Sequence, residues 1–389
     1  MATNPDIELS VVMPCLNEAD TLRTCIRKAI RAMNEAGIVG EVIVADNGST
    51  DGSQEIARSE GARVVDIPVR GYGSALIGGI AEARGKFILM GDADDSYDFT
   101  EIPRFVAALR EGAELVQGCR LPKGGGTVLP GAMPFLHRWW GNPMFTAMAR
   151  RWFGAPINDI NCGMRAFSRD LYDRLELRSL GMEFANEMII KASLMGARIS
   201  EVPITLHPDG RKSHGPHLRT FRDGWRTLRF YLIFSPTWLF LIPGVLLILF
   251  GVLGMGVGLT GTTIGGLRFE TNTLLFSSVA MLCGFQAIVF WALASVYAVY
   301  SGLLPRSRVY DAFFRWATLE RVVVLGVIGF VAGGVLLGSV MVEWVGTSFG
   351  ELEFSGTMRR TVPGATLTAL GFQTMLSGFL ASILGMDRR

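Results

Sequence analysis

The stretch Lys86-Phe87-Ile88-Leu89-Met90-Gly91-Asp92-Ala93-Asp94-Asp95-Ser96 passes from an apolar run directly into three carboxylates within four residues. The apolar half has the length of a buried strand, and the acidic half predicts the turn that ends it. Hard divalent cations prefer carboxylate oxygens and accept bound phosphates as further ligands. The stretch therefore predicts a metal site, whereas an isolated Asp-x-Asp is more often a solvated turn that caps the next helix.

Three further strand-length apolar runs precede this stretch, at residues 9–13, 41–45 and 63–67, and segments with helical spacing separate them. Strands that alternate with helices predict a mostly parallel sheet covered on both faces. Ligands of such sheets bind outside the carboxyl ends of the strands. The polar loops 14–18 and 46–53 follow two of these ends, so they and the acidic turn are expected at one shared edge.

The whole chain is too apolar for a simple soluble protein, with 389 residues of which 49% are hydrophobic. Beyond about residue 234, four segments carry no charge, namely 239–259, 273–304, 322–342 and 361–386. Each reaches the roughly 20 residues that a helix needs to cross a bilayer core. The sequence predicts three parts, a catalytic-type α/β domain over 1–215, an amphipathic juxtamembrane helix over 216–237 and a four-helix transmembrane domain over 238–389.

The charges near the membrane predict the topology. Asp6 and Glu8 argue against a cleavable signal at the start of the chain, so the first domain is expected in the cytoplasm. Short loops rich in Lys and Arg stay on the cytoplasmic side. The loop 302–321 carries four arginines and the tail ends in two, which places this loop and both termini on the cytoplasmic side of the inner membrane. Arg359 and Arg360 fall on the opposite side as an exception.

Four motifs occur in order at compatible distances, Pro14-Cys15-Leu16-Asn17-Glu18, then ADNGSTDGS at 45–53, RGYGSALIGG at 70–79 and GDADDS at 91–96. This series resembles the nucleotide-sugar-binding half of family 2 glycosyltransferases, and the resemblance covers roughly residues 9–229. It is nearest to the branch of dolichol-phosphate mannose synthase and the bacterial polyprenyl-phosphate sugar transferases. The resemblance implies a Rossmann-like GT-A fold, a nucleotide-sugar donor, a polyprenyl or dolichyl phosphate acceptor, and Mg²⁺ or Mn²⁺.

The resemblance also implies the donor site. Asp92 and Asp94 are expected to meet the donor diphosphate through the metal. In the family a Gln often follows as an additional metal ligand, but this chain has Asp95-Ser96 there, so the third protein ligand stays open. The base and ribose pocket is assigned to Pro14, Leu16, Glu18 and Asp46, and the same donor-binding set includes Asn17, Gly48, Ser49, Gly73 and Ala93.

The acceptor side is implied by three segments. Gly118-Cys119-Arg120 matches a family Gly-Ser-Arg apart from the Cys, which implies that Arg120 meets the acceptor phosphate. Arg138 lies in an aromatic and basic stretch, and Arg211 and Ser213 lie where the family has an Arg and a Ser-Lys pair. Asp159 in the segment 158–167 is placed near the donor sugar, or it is a structural aspartate in a tight turn. Asp92, Asp94, Asp159 and Arg120 form the candidate catalytic set.

Two stretches predict contact with membrane lipids. Between residues 218 and 232 apolar residues recur every three or four positions, with arginines at 219, 222, 226 and 229 on an adjacent face. A helix of this kind suits an anionic inner leaflet. The stretch 133–153 interleaves aromatics and arginines, and an interfacial helix explains it better than nucleic acid, for which no binding motif is present. His207, His214 and His217 lack the spacing of a zinc site.

These observations predict an inverting, metal-dependent transfer of a hexose from UDP-sugar or GDP-mannose to a polyprenyl phosphate at the cytoplasmic face. A phosphate acceptor is mostly dianionic at neutral pH and needs no general base. A processive polysaccharide synthase is disfavoured because Arg222-Asp223-Gly224-Trp225 is not the Q-x-x-R-W motif of that group. A membrane carrier or scaffold with an inactive transferase domain is the third functional interpretation. The sequence leaves homo-oligomerisation open.

Overall fold

The structure is a computed structural model that describes residues 7–213, 220–301 and 304–385. The chain divides into two compact units, one that extends to Tyr231 and one that starts at Leu232. The predicted boundary at 215/216 and the predicted residues His214, His217, Leu218 and Arg219 lie outside the described residues.

The first unit is built on a seven-stranded sheet with the order β3-β2-β1-β4-β7-β5-β8. β1 pairs in parallel with β2 and β4, β2 with β3, and β5 with β8, which confirms the predicted mostly parallel sheet. The strands of this sheet are β1 Leu9–Cys15, β2 Gly40–Asp46, β3 Arg63–Asp66, β4 Phe87–Met90, β5 Leu115–Cys119, β7 Arg165–Ser168 and β8 Ile199–Pro203. β6 Thr127–Val128 and β9 Thr205–Leu206 form a separate two-stranded sheet.

β7 is antiparallel to both β4 and β5, and the sequence analysis did not predict it. Its four residues show no alternation of apolar and polar side chains, so no strand pattern marks it. Because β7 lies between β4 and β5, it brings the segment that precedes it to the edge where the acidic turn lies.

Helices cover the sheet, and their apolar stripes form the core. Leu22, Ile26 and Met33 recur at helical spacing in α1 and are buried against the strands, as the spacing predicts. β1 and β4 are buried on both faces. The helices are α1 Leu22–Glu35, α2 Ser53–Ser59, α3 Tyr72–Glu82, α4 Ile102–Arg110, α5 Asn142–Phe153, α6 Arg169–Leu175, α7 Glu183–Leu194 and α8 Thr220–Ile233.

α5 and α8 are joined by aromatic rings. Tyr231 of α8 packs edge-to-face on Phe145 and Phe153 of α5, and its hydroxyl donates to Asn186 at 3.0 Å. Trp140, which precedes α5 in the chain, is 68% exposed, and Phe221 of α8 is 85% exposed. The amphipathic helix predicted before the first span is therefore present over Thr220–Ile233, and its apolar face is only partly covered.

The second unit contains four helices that are long and apolar enough to cross a membrane, as predicted. They have 24, 30, 28 and 32 residues. Residues 302–303 and 386 of the predicted spans lie outside the described part. The elements are α9 Ile242–Thr260, which continues a π-helical turn at Thr237–Leu241, β10 Thr263–Ile264, β11 Leu267–Arg268, α10 Thr271–Tyr300, α11 Arg308–Trp316, α12 Leu319–Gly346 and α13 Phe354–Gly385.

Small residues set the packing of this unit. α9 packs on α10, α10 on α13, and α13 on α12. A methyl group added at Gly371 of α13 would lie 2.3 Å from the backbone nitrogen of Phe330, and one at Gly333 of α12 would lie 2.5 Å from the carbonyl of Gly364. Ser278 and Thr366 share a buried hydrogen bond of 2.6 Å between α10 and α13. Close backbone approach and side-chain hydrogen bonds are the usual means by which helices associate in lipid.

Candidate active site

The loops after β1 and β2 meet at the carboxyl edge of the sheet. The backbone nitrogen of Asn17 donates to Ser49 Oγ at 2.9 Å, and Thr50 N donates back to Asn17 Oδ1 at 2.8 Å. Glu18 N donates to Ser53 Oγ at 3.0 Å. Asn17 has a φ of +60°, a left-handed conformation that Asn tolerates better than most residues. The predicted donor loops are thus a single hydrogen-bonded unit.

Asp46 at the end of β2 organises its own turn. Its carboxylate accepts from Gly48 N and Ser49 N at 3.0 Å and from Gln54 Nε2 at 2.7 Å. Although burial opposes ionisation, these hydrogen bonds hold the pKa of Asp46 below its ordinary value. The role of Asp46 toward the nucleotide stays a prediction, and the turn it builds positions Gly48 and Ser49.

The loop after β3 is tied to the same turn. Asn47 Nδ2 donates to Val69 O at 2.8 Å, and Gly71 N donates to Asn47 Oδ1 at 2.8 Å. Arg70 Nη1 donates to Asn47 O at 2.5 Å, and its guanidinium lies against Gly48. Arg70 is not among the predicted site residues, and its position directly before the Gly-Tyr-Gly motif is the sequence signal that could have identified it.

The two candidate metal ligands each have one oxygen engaged. Asp92 Oδ1 accepts from the Tyr72 hydroxyl at 2.9 Å, and Asp94 Oδ1 accepts from Ser96 N at 3.0 Å and Ser96 Oγ at 2.6 Å. A methyl group at Gly163 would lie 2.6 Å from Asp92 Oδ2, so only glycine leaves room for this carboxylate. Burial of the carboxyl group and the charge of Asp94 raise the pKa of Asp92 to about 6.

Asp95 and Ser96, where the chain departs from the family pattern, have other partners. Asp95 has a φ of +59°, and its carboxylate pairs with Lys28 of α1 at 2.8 Å. Ser96 is engaged by Asp94. Within residues 7–213, 220–301 and 304–385 no three His, Cys, Asp or Glu side chains come together as a metal site. Asp92 and Asp94 therefore present two carboxylate oxygens and no third acidic or imidazole ligand among these residues.

Arg211 lies beside two carboxylates, those of Glu18 and Asp94. Its Nε and Nη2 donate to the two carboxylate oxygens of Glu18 at 2.7 and 2.6 Å, and Nη2 is 3.6 Å from Asp94 Oδ2. Although burial opposes the charged form, Glu18 and Asp94 hold the pKa of Arg211 above its ordinary value. The resemblance implies that Arg211 meets the acceptor phosphate, and this role stays a prediction. In the structure the guanidinium pairs with Glu18 and lies close to Asp94.

Arg120 and Asp159 form a buried ion pair. Arg120 Nε donates to Asp159 Oδ2 at 2.7 Å and Nη2 to Oδ1 at 2.9 Å, while Arg120 N donates to Oδ2 at 3.0 Å. Asp159 is fully buried. The Tyr97 hydroxyl accepts from Gly163 N at 2.8 Å and from Arg120 Nη1 at 3.3 Å, which joins this pair to the segment beside Asp92. The structural alternative for Asp159 matches these contacts.

The remaining predicted residues are placed as follows. The guanidinium of Arg138 lies over the Trp139 ring at 5.6 Å, and Ser213 is exposed, with its backbone nitrogen bound to Asp20. Gly73 opens α3 against Ser179 O, and the Ala93 carbonyl accepts from Thr21. Pro14 and Leu16 are partly exposed on either side of buried Cys15.

For Glu187 the sequence leaves two interpretations open, a contact to sugar hydroxyls or a solvated surface residue, and its burial excludes the second. It is buried, pairs with Lys191 at 2.9 Å, and accepts from Ser179 N at 2.8 Å. Because Ser179 belongs to the loop that lies on the start of α3, Glu187 supports the Gly-Tyr-Gly turn from behind.

Comparison with known proteins identifies the protein family that this chain matches. The model described as "Glycosyl transferase family 2" matches residues 10–176, and "Glycosyltransferase family 2 C-terminal transmembrane region" matches residues 292–385. The low-salt glycan biosynthesis hexosyltransferase Agl6 of Haloferax volcanii is 37% identical over 382 residues, which cover 97% of this chain and 89% of that protein.

Two further similarities cover the first half of the chain. A dolichyl-phosphate hexose transferase of Haloferax volcanii is 33% identical over 198 residues, 51% of this chain and 82% of that protein. The crystal structure of glucosyl-3-phosphoglycerate synthase from Mycobacterium tuberculosis, in complex with Mn²⁺, UDP and glucosyl-3-phosphoglycerate, matches with a TM-score of 0.44 and 25% identity, over 58% of this chain and 78% of that one.

Proposed function

Because this chain belongs to glycosyltransferase family 2, we propose that it transfers one hexose from a UDP-sugar or GDP-mannose to a polyprenyl or dolichyl phosphate at the cytoplasmic membrane face. The observation that carries the proposal is the Asp92–Asp94 pair at the carboxyl edge of a mostly parallel sheet, in a chain whose second unit has four helices of membrane length. A relative named as a dolichyl-phosphate hexose transferase supports the acceptor class.

The donor pocket is proposed at the loops after β1, β2 and β3. Hydrogen bonds between these loops pre-organise them, so the donor meets a rigid edge. In this proposal Pro14, Leu16, Glu18 and Asp46 line the base and ribose, and the turn that Asp46 organises follows. Arg70, exposed beside Gly48, supplies a positive charge at the mouth of the pocket.

The donor set fits Mg²⁺ or Mn²⁺. Asp92 and Asp94 each keep one oxygen for a metal, and Mg²⁺ in nucleotide sites is typically held by one or two carboxylates together with substrate phosphates. When bound, such an ion neutralises the charge that develops on the leaving nucleoside diphosphate. Tyr72 holds the orientation of Asp92, and Ser96 that of Asp94, as hydrogen-bond donors to metal ligands commonly do.

The acceptor phosphate needs orientation rather than activation. Its dianion is already nucleophilic at neutral pH, so no side chain has to remove a proton. Attack from the face opposite the leaving diphosphate inverts the anomeric carbon. Arg138 and Ser213 keep the proposed acceptor role, whereas Arg120 and Arg211 have carboxylate partners that hold them within the protein. The exposed aromatics of residues 135–140 and of α8, together with the exposed arginines of α5 and α8, suit the lipid surface from which such an acceptor enters.

The test is a substrate panel with the purified full chain in detergent micelles. Labelled UDP- and GDP-sugars are offered with a polyprenyl phosphate and Mg²⁺ or Mn²⁺, and the product lipid is identified by mass spectrometry. We expect one hexosyl-phosphoryl-polyprenol product that chelation of the metal abolishes. Asp94→Asn should lower turnover by at least about 100-fold, since it removes a ligand of the metal.

Asp95→Asn is the matched control, because Asp95 is the next residue but pairs with Lys28. Loss of this partly exposed ion pair should change stability little, so Asp95→Asn should fold as the parent does and keep most of its turnover. Equal turnover of parent and Asp94→Asn would contradict the metal proposal. Transfer of several hexoses in series to one acceptor would favour the processive synthase.

A further inference from the structure

We infer that Arg211 is a built-in counter-cation of the candidate metal site and makes metal binding conditional on the nucleoside diphosphate. This inference rests on the proposed function, because it takes Asp92 and Asp94 as the metal ligands. It assigns Arg211 to the donor half of the reaction cycle and not to the acceptor phosphate.

The guanidinium occupies the position where a dication would compete with it. Arg211 Nη2 lies 3.6 Å from Asp94 Oδ2, the oxygen that Ser96 leaves without a hydrogen bond. A metal bound to that oxygen would stand within a few ångströms of a fixed positive charge, and the two would repel each other strongly in this partly buried site. Two further carboxylates hold the guanidinium in this position, Glu18 through a bidentate pair and Asp209 through Nη1 at 2.8 Å.

The backbone holds Arg211 there. Gly210 N donates to Asp94 O at 3.0 Å, and a methyl group on Gly210 would lie 2.9 Å from the Thr21 side chain. On the far side of Arg211, the backbone nitrogens of Lys212 and Ser213 both donate to Asp20 Oδ2 at 2.9 Å. The segment is therefore fastened to the acidic turn and to the loop before α1 on both sides of Arg211. Its side chain is only 10% exposed, which is unlike a free surface arginine.

The nucleotide changes this balance. A nucleoside diphosphate brings negative oxygens that suit a guanidinium as well as a carboxylate does. The same oxygens are ligands for the metal. With the diphosphate bound, Arg211 can exchange its carboxylate partner Glu18 for phosphate oxygens. The negative charge of the diphosphate then offsets the repulsion between the guanidinium and the metal. Without it, the metal has to compete with Arg211 for the carboxylates.

The experiment measures Mn²⁺ binding and needs no turnover. The full chain in detergent micelles is titrated with Mn²⁺, and free Mn²⁺ is followed by electron paramagnetic resonance, first alone and then with UDP or GDP. The parent chain should bind Mn²⁺ at least tenfold more tightly with one of the nucleotides than without. Arg211→Gln should bind Mn²⁺ at least tenfold more tightly than the parent in the absence of nucleotide.

Two variants serve as controls for charge. Lys212→Gln removes the same charge from the adjacent exposed side chain and should behave as the parent does. Arg211→Lys keeps the positive charge and should retain weak binding without nucleotide. Thermal melting of each variant reports its folding, and if Arg211→Gln melts well below the parent, Arg211→Ala is titrated in its place.

The outcomes separate this inference from the proposed function. If Arg211→Gln and the parent bind Mn²⁺ equally without nucleotide, and both bind it with nucleotide, the counter-cation role is overturned while the metal site stands. If neither binds Mn²⁺ with UDP or with GDP, the metal dependence itself is overturned, and the role of Arg211 with it.

Discussion

At the scale of single residues, the Arg120–Asp159 pair allows two roles for Arg120 to be distinguished, contact with a ligand and stabilisation of the fold. All three contacts between the two residues are 3.0 Å or shorter, and Asp159 has no exposed surface. Breaking a buried ion pair leaves an uncompensated charge and typically costs about 3–5 kcal/mol. Asp159→Asn should therefore lower the melting temperature of the purified chain by on the order of 10 °C.

The control for this prediction is Arg178→Gln. Arg178 pairs with Glu176 at 3.5 Å and both side chains are largely exposed, so its loss should change the melting temperature little. An unchanged melting temperature for Asp159→Asn, together with a raised KM for the lipid phosphate, would return Arg120 to the acceptor site.

The partners of these arginines also show what the sequence could reveal at this scale. The motifs predicted that Asp92, Asp94, Glu18 and Arg211 matter, because the resemblance attaches to short local patterns. It could not predict that Arg211 pairs with Glu18, which lies 193 residues away in sequence. A guanidinium suits a phosphate and a carboxylate equally, so residue type alone does not choose its partner.

Tyr72 and Gly163 were missed for a related reason. Each acts on Asp92 through a tertiary contact, Tyr72 as a hydrogen-bond donor and Gly163 by leaving space. The sequence pattern around a Tyr between two glycines does not indicate which group its hydroxyl will contact. The Gly-x-Gly motif therefore did not predict which side chain its turn would place against the acidic cluster.

At the scale of elements, the glycines of α12 and α13 have two kinds of surroundings. A methyl group at Gly371 would meet the backbone of α12 at 2.3 and 2.6 Å, whereas at Gly338 nothing lies within 4 Å. Backbone atoms cannot move aside cheaply, and overpacking typically costs about 1–3 kcal/mol. Gly371→Ala should therefore lower the melting temperature of the chain in detergent micelles.

Gly338→Ala is its matched control, because it makes the same change in a membrane-length helix. It should leave the melting temperature unchanged or raise it, since Ala favours helix over Gly by about 1 kcal/mol. If both variants melt alike, the close packing of α12 on α13 is not what stabilises this pair.

Elements were predictable wherever periodicity or composition marks them strongly. The four spans and the parallel strands β1 to β4 follow from long uncharged segments and from apolar runs ended by polar loops. β7 was not predicted because a strand of four residues is too short to show a periodic pattern of apolar and polar side chains. α11 was also not predicted, because the arginines of this loop were interpreted only as a sign of its cytoplasmic location and the helix has just nine residues.

At the scale of the whole molecule, the charge distribution predicts on which side of the membrane each loop lies. α11 has Arg308, Asp311 and Arg315 on one face, and Arg306 and Arg321 lie nearby in sequence. Positive loops stay in the cytoplasm, and α12 has the length to cross the bilayer once after α11. The loop 347–353, which follows α12, should then lie on the opposite side of the membrane.

Single cysteines test this arrangement. Ala312 lies with Arg308 and Arg315 on the polar face of α11, and Glu351 is exposed in the loop after α12. In a Cys283→Ala background, which removes the exposed native thiol, a membrane-impermeant maleimide should label Glu351→Cys in intact cells. It should label Ala312→Cys only after the membrane is permeabilised. The reverse pattern would put the transferase domain outside the cytoplasm, where nucleotide sugars are not supplied, and would contradict the proposed membrane face while leaving family membership untouched.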